Sequence, residues 1–331
     1  MTMRRLAVMA ILCSCALART PSGSLGALLA PNNARPAMVV SGATFTVEAQ
    51  QRGGLQLVSE SAQLPLTPEW VELPGGRVRA IVPVPPDAAT GAYTLEWSSG
   101  DEADRNARAV YVVAPPEQLN SFSQQYAFAC VAFDTEMDRV ETISERLRRV
   151  DATQTAFAIV FVRGAEERFS DVVATLDVCA APTIVISDET DRVCKRWFGP
   201  ATFSFQYGPD TYIAPACGRA GIGDDIGPVA GTLSELRRDA KTSRWTIALF
   251  GDSNTPASMR NELTLYVDDS VHACIRGFEG DKDGAATIKA WAGWFEPPRH
   301  FTVATDRIRI YFVSRKELSV PKPAPRPSDD N

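Results

Sequence analysis

The sequence predicts two folded units in series, a small all-β sandwich over residues 37–114 and an α/β domain over residues 120–316. Three observations carry this. Between Ala37 and Ala114, short runs of β type are separated by turn clusters. Pro115-Pro116 then ends a strand and stiffens a link. Beyond it, apolar runs of strand length alternate with amphipathic helical stretches, an order that packs helices on the faces of sheets. With 331 residues, 45% hydrophobic and 22% charged, the chain has ordinary globular composition and enough length for two cores.

In the first unit, strands are expected at Ala43 to Glu48, Trp70 to Leu73, Arg77 to Val84, Ala92 to Trp97 and Ala109 to Val113. Val78, Ala80 and Val82 alternate with Arg77 and Arg79, the period of a half-buried strand. The stretch Pro85 to Leu95, with Tyr93 at the start of a strand, resembles the E-to-F corner of immunoglobulin-like domains, which makes an immunoglobulin-like sandwich the expected form. Such modules mostly bind, space or shield.

In the second unit the expected order is strand Ala127 to Phe133, helix Arg139 to Val150, strand Phe157 to Val162, helix Asp171 to Cys179 and strand Thr183 to Ile186. A helix over Leu233 to Lys241 and strands Thr246 to Phe250, Val271 to Ile275, Phe301 to Ala304 and Arg307 to Val313 follow. Ligands of such sheets usually sit beyond the carboxyl ends of the strands.

The segment Pro182 to Gly208 is the most specific. Its apolar strand is followed by Ser187-Asp188-Glu189-Thr190-Asp191 and then by Trp197-Phe198-Gly199-Pro200 and Phe203-Ser204-Phe205-Gln206-Tyr207-Gly208. It resembles the calcineurin-like metallophosphoesterase family, where a strand ends in Pro-Gly-Asn-His-Asp and a Tyr-Phe-Gly-Pro hairpin follows. The resemblance runs over roughly residues 125 to 313 and implies a four-layer αββα domain. In that frame Asp134 matches the aspartate of the first motif, and Glu136 stands in place of its histidine. Arg163 takes the slot of the carboxylate that bridges two metals. Glu189 and Thr190 replace an asparagine and a histidine, while Asp191 is kept. Gly251 and Asp252 stand where a histidine pair would be. In the last motif Gly277 is kept, with Phe278 and Gly280 at the histidine positions. The chain is therefore expected to be a degenerate member of that family.

Two-metal hydrolysis requires paired cations about 3.5–4 Å apart, held by bridging and terminal ligands. The whole chain has two histidines, His272 and His300, and neither falls on a ligand slot, so both are expected to pack or cap. Arg163 would repel a dinuclear centre yet pair well with Asp134 and Asp191. The expectation is that its charge stands in for the lost metals, with a surface arginine as the bland alternative. No cofactor is expected. If a metal binds, Asp134, Glu136, Glu189 and Asp191, with Asp252, would supply an all-oxygen site for a hard cation. Glu279 to Gly284 follows the first half of an EF-hand loop, but Ala290 stands at the twelfth position, so a solvated acidic loop is expected. GxSxG, P-loop, HExxH and CxxC signatures are absent.

Residues 1–18 read as an export signal, with Arg4 and Arg5 ahead of the uncharged run Leu6 to Ala18, which is too short to span a bilayer. Ala16-Leu17-Ala18 offers a cleavage site, while Leu12-Cys13-Ser14-Cys15 resembles a lipobox that would lipidate Cys15. Residues 19–36 are expected to be a flexible spacer, and the proline-rich tail 320–331 to be disordered. Loss of the two signal arginines takes the formal net charge from −6 to about −8. Scattered cations exclude a nucleic-acid partner, and membrane contact is expected only through a lipid anchor. Of Cys130, Cys179, Cys194, Cys217 and Cys274, a bridge of Cys194 to Cys179 or Cys217 is expected, with Cys130 and Cys274 packed as small hydrophobes. The functional expectation is an exported, non-catalytic protein with a structural or binding role in the cell envelope and an unidentified protein or envelope partner. The alternatives are a phosphoesterase with a carboxylate-rich metal site, and an adhesion or assembly module acting through the sandwich.

Overall fold

A computed structural model describes residues 26–114, 125–153, 155–187, 189, 191–200, 203–214, 244–251, 273–278, 299–302, 308–313 and 318–319. The first unit holds strands β1 (Leu28–Ala30), β2 (Ala37–Val40), β3 (Thr44–Ala49), β4 (Gly54–Val58), β5 (Gln63–Leu66), β6 (Glu69–Glu72), β7 (Val78–Pro83), β8 (Gly91–Ser99) and β9 (Glu102–Val113). They form two sheets, β1-β3-β7-β6 and β2-β9-β8-β4-β5. Alternation decides which side chains go in. Val78, Ala80 and Val82 of β7 are buried with Val47, Leu57, Leu95 and Trp97, while Ile81 is exposed. Tyr93 Oη donates to the Ala89 carbonyl at 2.8 Å, the bond by which a corner tyrosine ties a strand to the turn before it.

The second unit contains β10 (Tyr126–Asp134), α1 (Val140–Asp151), β11 (Ala158–Arg163), α2 (Phe169–Thr175), β12 (Thr183–Ser187), α3 (Asp191–Trp197), β13 (Phe203–Tyr207) and β14 (Asp210–Ala214). Then come β15 (Thr246–Phe250), β16 (Ala273–Arg276), β17 (Arg299–Thr302), β18 (Arg309–Val313) and β19 (Leu318–Ser319). One sheet runs β12-β11-β10-β18-β19 and the other β13-β14-β15-β16-β17. Strand β10 is buried on both faces, which is why it reads as an unbroken apolar run. Phe128, Cys130 and Ala132 pack toward Tyr212, Ile247, Leu249 and Ile275 of the second sheet. Ala129, Val131 and Phe133 pack on the other side, with Ile143, Leu147 and Val150 of α1 and Phe169 and Val172 of α2. The apolar positions of α1 recur at helical spacing, Glu141 lies in its first turn, and Arg148 and Arg149 lie in its last, so charge and helix dipole agree. The described chain is thus β-rich, with two sheets face to face and helices outside one of them. The helix expected over Leu233 to Lys241 lies outside the described residues.

Two expectations are corrected. The presumed spacer 19–36 is structured from Leu28 onward. After β1, the segment Asn32–Arg35 docks on the second unit. Asn32 Nδ2 donates to Phe198 O at 3.2 Å, Val185 N to Ala34 O at 2.8 Å, and Arg35 Nε to Val185 O at 3.3 Å. The Arg35 guanidinium lies 4.2 Å from the Phe203 ring centre. Polar composition resembled a linker because these side chains bond backbone of a distant segment. Arg108, with φ 52°, adds a second clasp through Asp177 O (2.9 Å) and Ala180 O (2.6 Å). The Cys194–Cys179 bridge is also not formed. Cys179 is a buried thiol whose Sγ lies 3.9 Å from Asp151 Oδ1, and burial pushes its pKa up to about 11. Cys217 lies outside the described residues, while Cys130 packs as a buried small hydrophobe.

Candidate functional site

Parallel pairing of β10 with β11 sets Asp134 opposite Arg163 at the carboxyl ends of both strands. The turn after β10 is tightly bonded. Met137 N and Asp138 N donate to Asp134 O at 3.0 and 2.7 Å, and Thr135 N donates to Arg163 O at 2.9 Å. The Thr135 hydroxyl lies 3.1 Å from Arg163 O and 3.2 Å from Ala165 O and donates between them. At Gly164, with φ 109°, a Cβ would come within 2.7 Å of Thr135 Oγ1, so the two strand-end turns meet because no side chain intervenes.

Within this frame Arg163 Nε donates to Asp134 Oδ2 at 2.9 Å, and the other carboxylate oxygen accepts from Glu136 N at 3.1 Å. Both oxygens of Asp134 are therefore engaged by protein N–H groups. The Arg163 guanidinium also lies 4.2 Å from the centre of the Phe278 ring. Phe278 is buried, and its predecessor Gly277 is pressed on strand β11: a Cβ there would fall 2.4 Å from Phe161 Cβ. Two further arginines brace the turn. Arg146 pairs with Asp138 at 3.1 Å. Arg168 donates to the carbonyls of Thr135 and Asp138 and lies 3.6 Å from Asp171.

Of the sequence-predicted residues, Asp134 and Arg163 are thus brought into contact, and Phe278 joins them from the second sheet. Glu136 is exposed at the tip of the turn. Glu189 follows β12, its N–H donating to Ser187 Oγ at 3.3 Å. Asp191 opens α3. The Asp191 side chain, Thr190, Asp252, Gly280, His272, the 279–284 loop, residues 1–18 with Cys15 and the tail 320–331 lie outside the described residues. His300 lies on β17. A dinuclear metal centre of the kind the resemblance implies does not fit the residues present. In the register the resemblance implies, a guanidinium would stand at the bridging position and a phenyl ring at one histidine position, and the carboxylate of Asp134 already accepts from Arg163 Nε and Glu136 N. Among the described residues no group of three His, Cys, Asp or Glu converges.

Sequence reasoning missed a buried polar cluster at the other end of the sheets. Asp210 is fully buried and receives Arg244 through Nε at 2.9 Å and Nη2 at 2.6 Å, Trp245 N at 3.1 Å and Tyr126 Oη at 2.8 Å. Tyr126 Oη also lies 2.7 Å from Tyr212 Oη. Burial, then the neighbouring phenol and carboxylate, pushes the pKa of Tyr126 well above the usual phenol range. Burial does the same to Tyr212. The available signal was Asp210 as the first residue of one strand and Arg244 two residues ahead of another, a charged residue each at the start of an apolar run.

No family model matches the chain, and no curated protein matches it. Among solved structures, amylomaltase from Corynebacterium glutamicum is 15% identical over 38% of this chain and 20% of its own length, with a TM-score of 0.20. The titin M10–obscurin-like 1 Ig complex is 20% identical over 24% of this chain and 88% of its own, with a TM-score of 0.17. A Bacteroides fragilis NCTC 9343 protein described as an α-galactosidase/melibiase is 11% identical over 82% and 57%, with a TM-score of 0.21. The chain thus spans only about a fifth of the amylomaltase it matches. Likenesses at this level carry no argument about function. Among the described residues no helix is long and apolar enough to cross a membrane.

Proposed function

We propose that the protein is an exported, non-catalytic relative of calcineurin-like metallophosphoesterases, in which an immunoglobulin-like sandwich precedes a four-layer domain kept for a structural or binding role in the cell envelope. The observation that carries this reading is the 2.9 Å contact of Arg163 with Asp134 at the strand ends. A fixed positive charge there does the electrostatic work of a cation, neutralising a partly buried carboxylate, and it repels a divalent ion at the same spot. The face-to-face sheets with helices outside one of them support the domain assignment, and the Tyr93–Ala89 bond supports the sandwich assignment.

The test is elemental analysis of the purified full-length protein, together with turnover of p-nitrophenyl phosphate mono- and diesters with added Mn²⁺ or Zn²⁺. No stoichiometric metal and no turnover above buffer is the expected result. Two equivalents of metal that are lost in Asp134→Asn, together with ester hydrolysis, would return the protein to the metal-dependent hydrolases.

A further inference from the structure

We infer that the outer edge of the Arg163 guanidinium is a receptor for a carboxylate, presented by an acidic peptide segment or by a small organic acid. This deepens the proposal above and rests on its claim that Arg163 replaces metal. Arginine carries five N–H donors in a rigid plane, and only Nε is used, on Asp134. Among the described residues neither Nη atom has a hydrogen-bond partner, and the side chain remains 38% exposed. One edge of the guanidinium is therefore anchored, one flat face is covered by Phe278, and the two parallel Nη–H groups at the far end reach solvent. That end presents the spacing that accepts two oxygens of a planar anion.

Preorganisation makes the difference from an ordinary surface arginine. A free arginine loses rotamer freedom when it binds, whereas this one is already fixed, by the charge of Asp134 at its root and by a ring that Gly277 holds against strand β11. The charge of the surroundings selects the ligand. Asp134 and Glu136 stand beside the site, and the other two arginines of the turn are committed, Arg146 to Asp138 and Arg168 to Asp171 and two carbonyls. A single cation flanked by two carboxylates suits a monoanion better than a phosphate dianion, for which like-charge repulsion rises with no second cation to offset it. Met137, 81% exposed in the same turn, offers apolar contact to the group that carries the carboxylate.

The experiment uses the full-length protein at constant ionic strength, titrated by calorimetry with sodium acetate, an N-acetylated and C-amidated Gly-Glu-Gly peptide that carries a single carboxylate, and inorganic phosphate in separate arms. Binding of acetate and peptide in the millimolar range or tighter, with phosphate weaker by roughly threefold or more, is expected. Arg163→Gln should weaken the carboxylate arms roughly tenfold, and Arg163→Lys, which keeps the charge and loses the fork, several-fold. Tighter peptide than acetate identifies an acidic segment as the natural source, and equal affinity a small acid. Affinity unchanged in both variants, preference for phosphate, or no heat with either carboxylate would overturn the inference. Metal analysis of the same sample separates the two ideas: a metal-free protein that ignores carboxylates refutes this inference alone, whereas a metal-loaded one refutes the reading beneath it.

Discussion

Replacing Asn32 by alanine tests one of the contacts that join the two units. Asn32 is 5% exposed, its Oδ1 accepts from Ala34 N and Arg35 N at 3.0 Å each, and its Nδ2 donates to Phe198 O at 3.2 Å across 166 positions of sequence. The Arg35 N–H keeps a second acceptor, Asn32 O at 3.1 Å, and is not orphaned by the change. Ala34 N and Phe198 O both lose their side-chain partner while buried. At about 1–3 kcal/mol for each of the two unsatisfied buried groups, the substitution costs roughly 2–6 kcal/mol, a large fraction of the ~5–15 kcal/mol that holds a domain folded. Asn32→Asp keeps the acceptor and sets a carboxylate against the Phe198 carbonyl, so it should be no milder. The assay is native-state hydrogen exchange read by mass spectrometry, with urea unfolding for the total. Protection should fall together in peptides covering β2 and β9 of the first unit and β12 of the second. A loss below about 0.5 kcal/mol, or one confined to a single unit, refutes the view that Asn32 couples them.

Tyr93→Phe removes the bond to Ala89 O and should lower the urea midpoint by the equivalent of about 1 kcal/mol, with the slope unchanged. Asp210→Asn removes the fully buried carboxylate charge that Arg244, Trp245 N and Tyr126 Oη all bond and should cost about 3–5 kcal/mol, measured by thermal or urea unfolding. Alkaline titration followed at the phenolate absorbance should leave Tyr126 and Tyr212 un-ionised until the chain unfolds. Their folded pKa values lie above the ordinary value of about 10, so the unfolded state releases protons first. The stability these phenols contribute is complete below that value and falls as pH rises beyond it. Cys179, its pKa raised to about 11, should resist iodoacetamide at pH 8 in the native protein and react in urea, as mapped by peptide mass spectrometry.

Regular periodicity was legible wherever one rule governed a segment. Strand β15 has the bounds read from its apolar run, and α1 follows from Ile143, Leu147 and Val150. The pairing of Asp134 with Arg163 could be read because two apolar runs end at those residues and parallel strands align their ends. What escaped was non-local. Strands β1, β2, β4 and β5 run for only three to five residues, and β5 carries Pro65, so their patterns are too brief to stand out from the turn clusters around them. Asn32 to Arg35 has turn composition, and nothing nearby in the chain says that its partners lie 150 or more residues away. The Asp210–Arg244 pair, 34 positions apart, is invisible until the second sheet is assembled. Phe278 was noted as a lost histidine, while its use as a flat support for Arg163 emerges only from the approach of the two sheets.

Strand β12 borders its sheet, and Ala34 O occupies the middle of its outer side through Val185 N. Thr183 to Ser187 reads TIVIS, uncharged and β-branched at four of five positions, the composition of segments that stack into fibrils when their backbone is left open. The covering residues precede it on the chain by about 150 positions, so synthesis delivers the cover before the strand it protects. Truncations that begin after Arg35 would therefore be prone to self-association even where the shortened chain still folds.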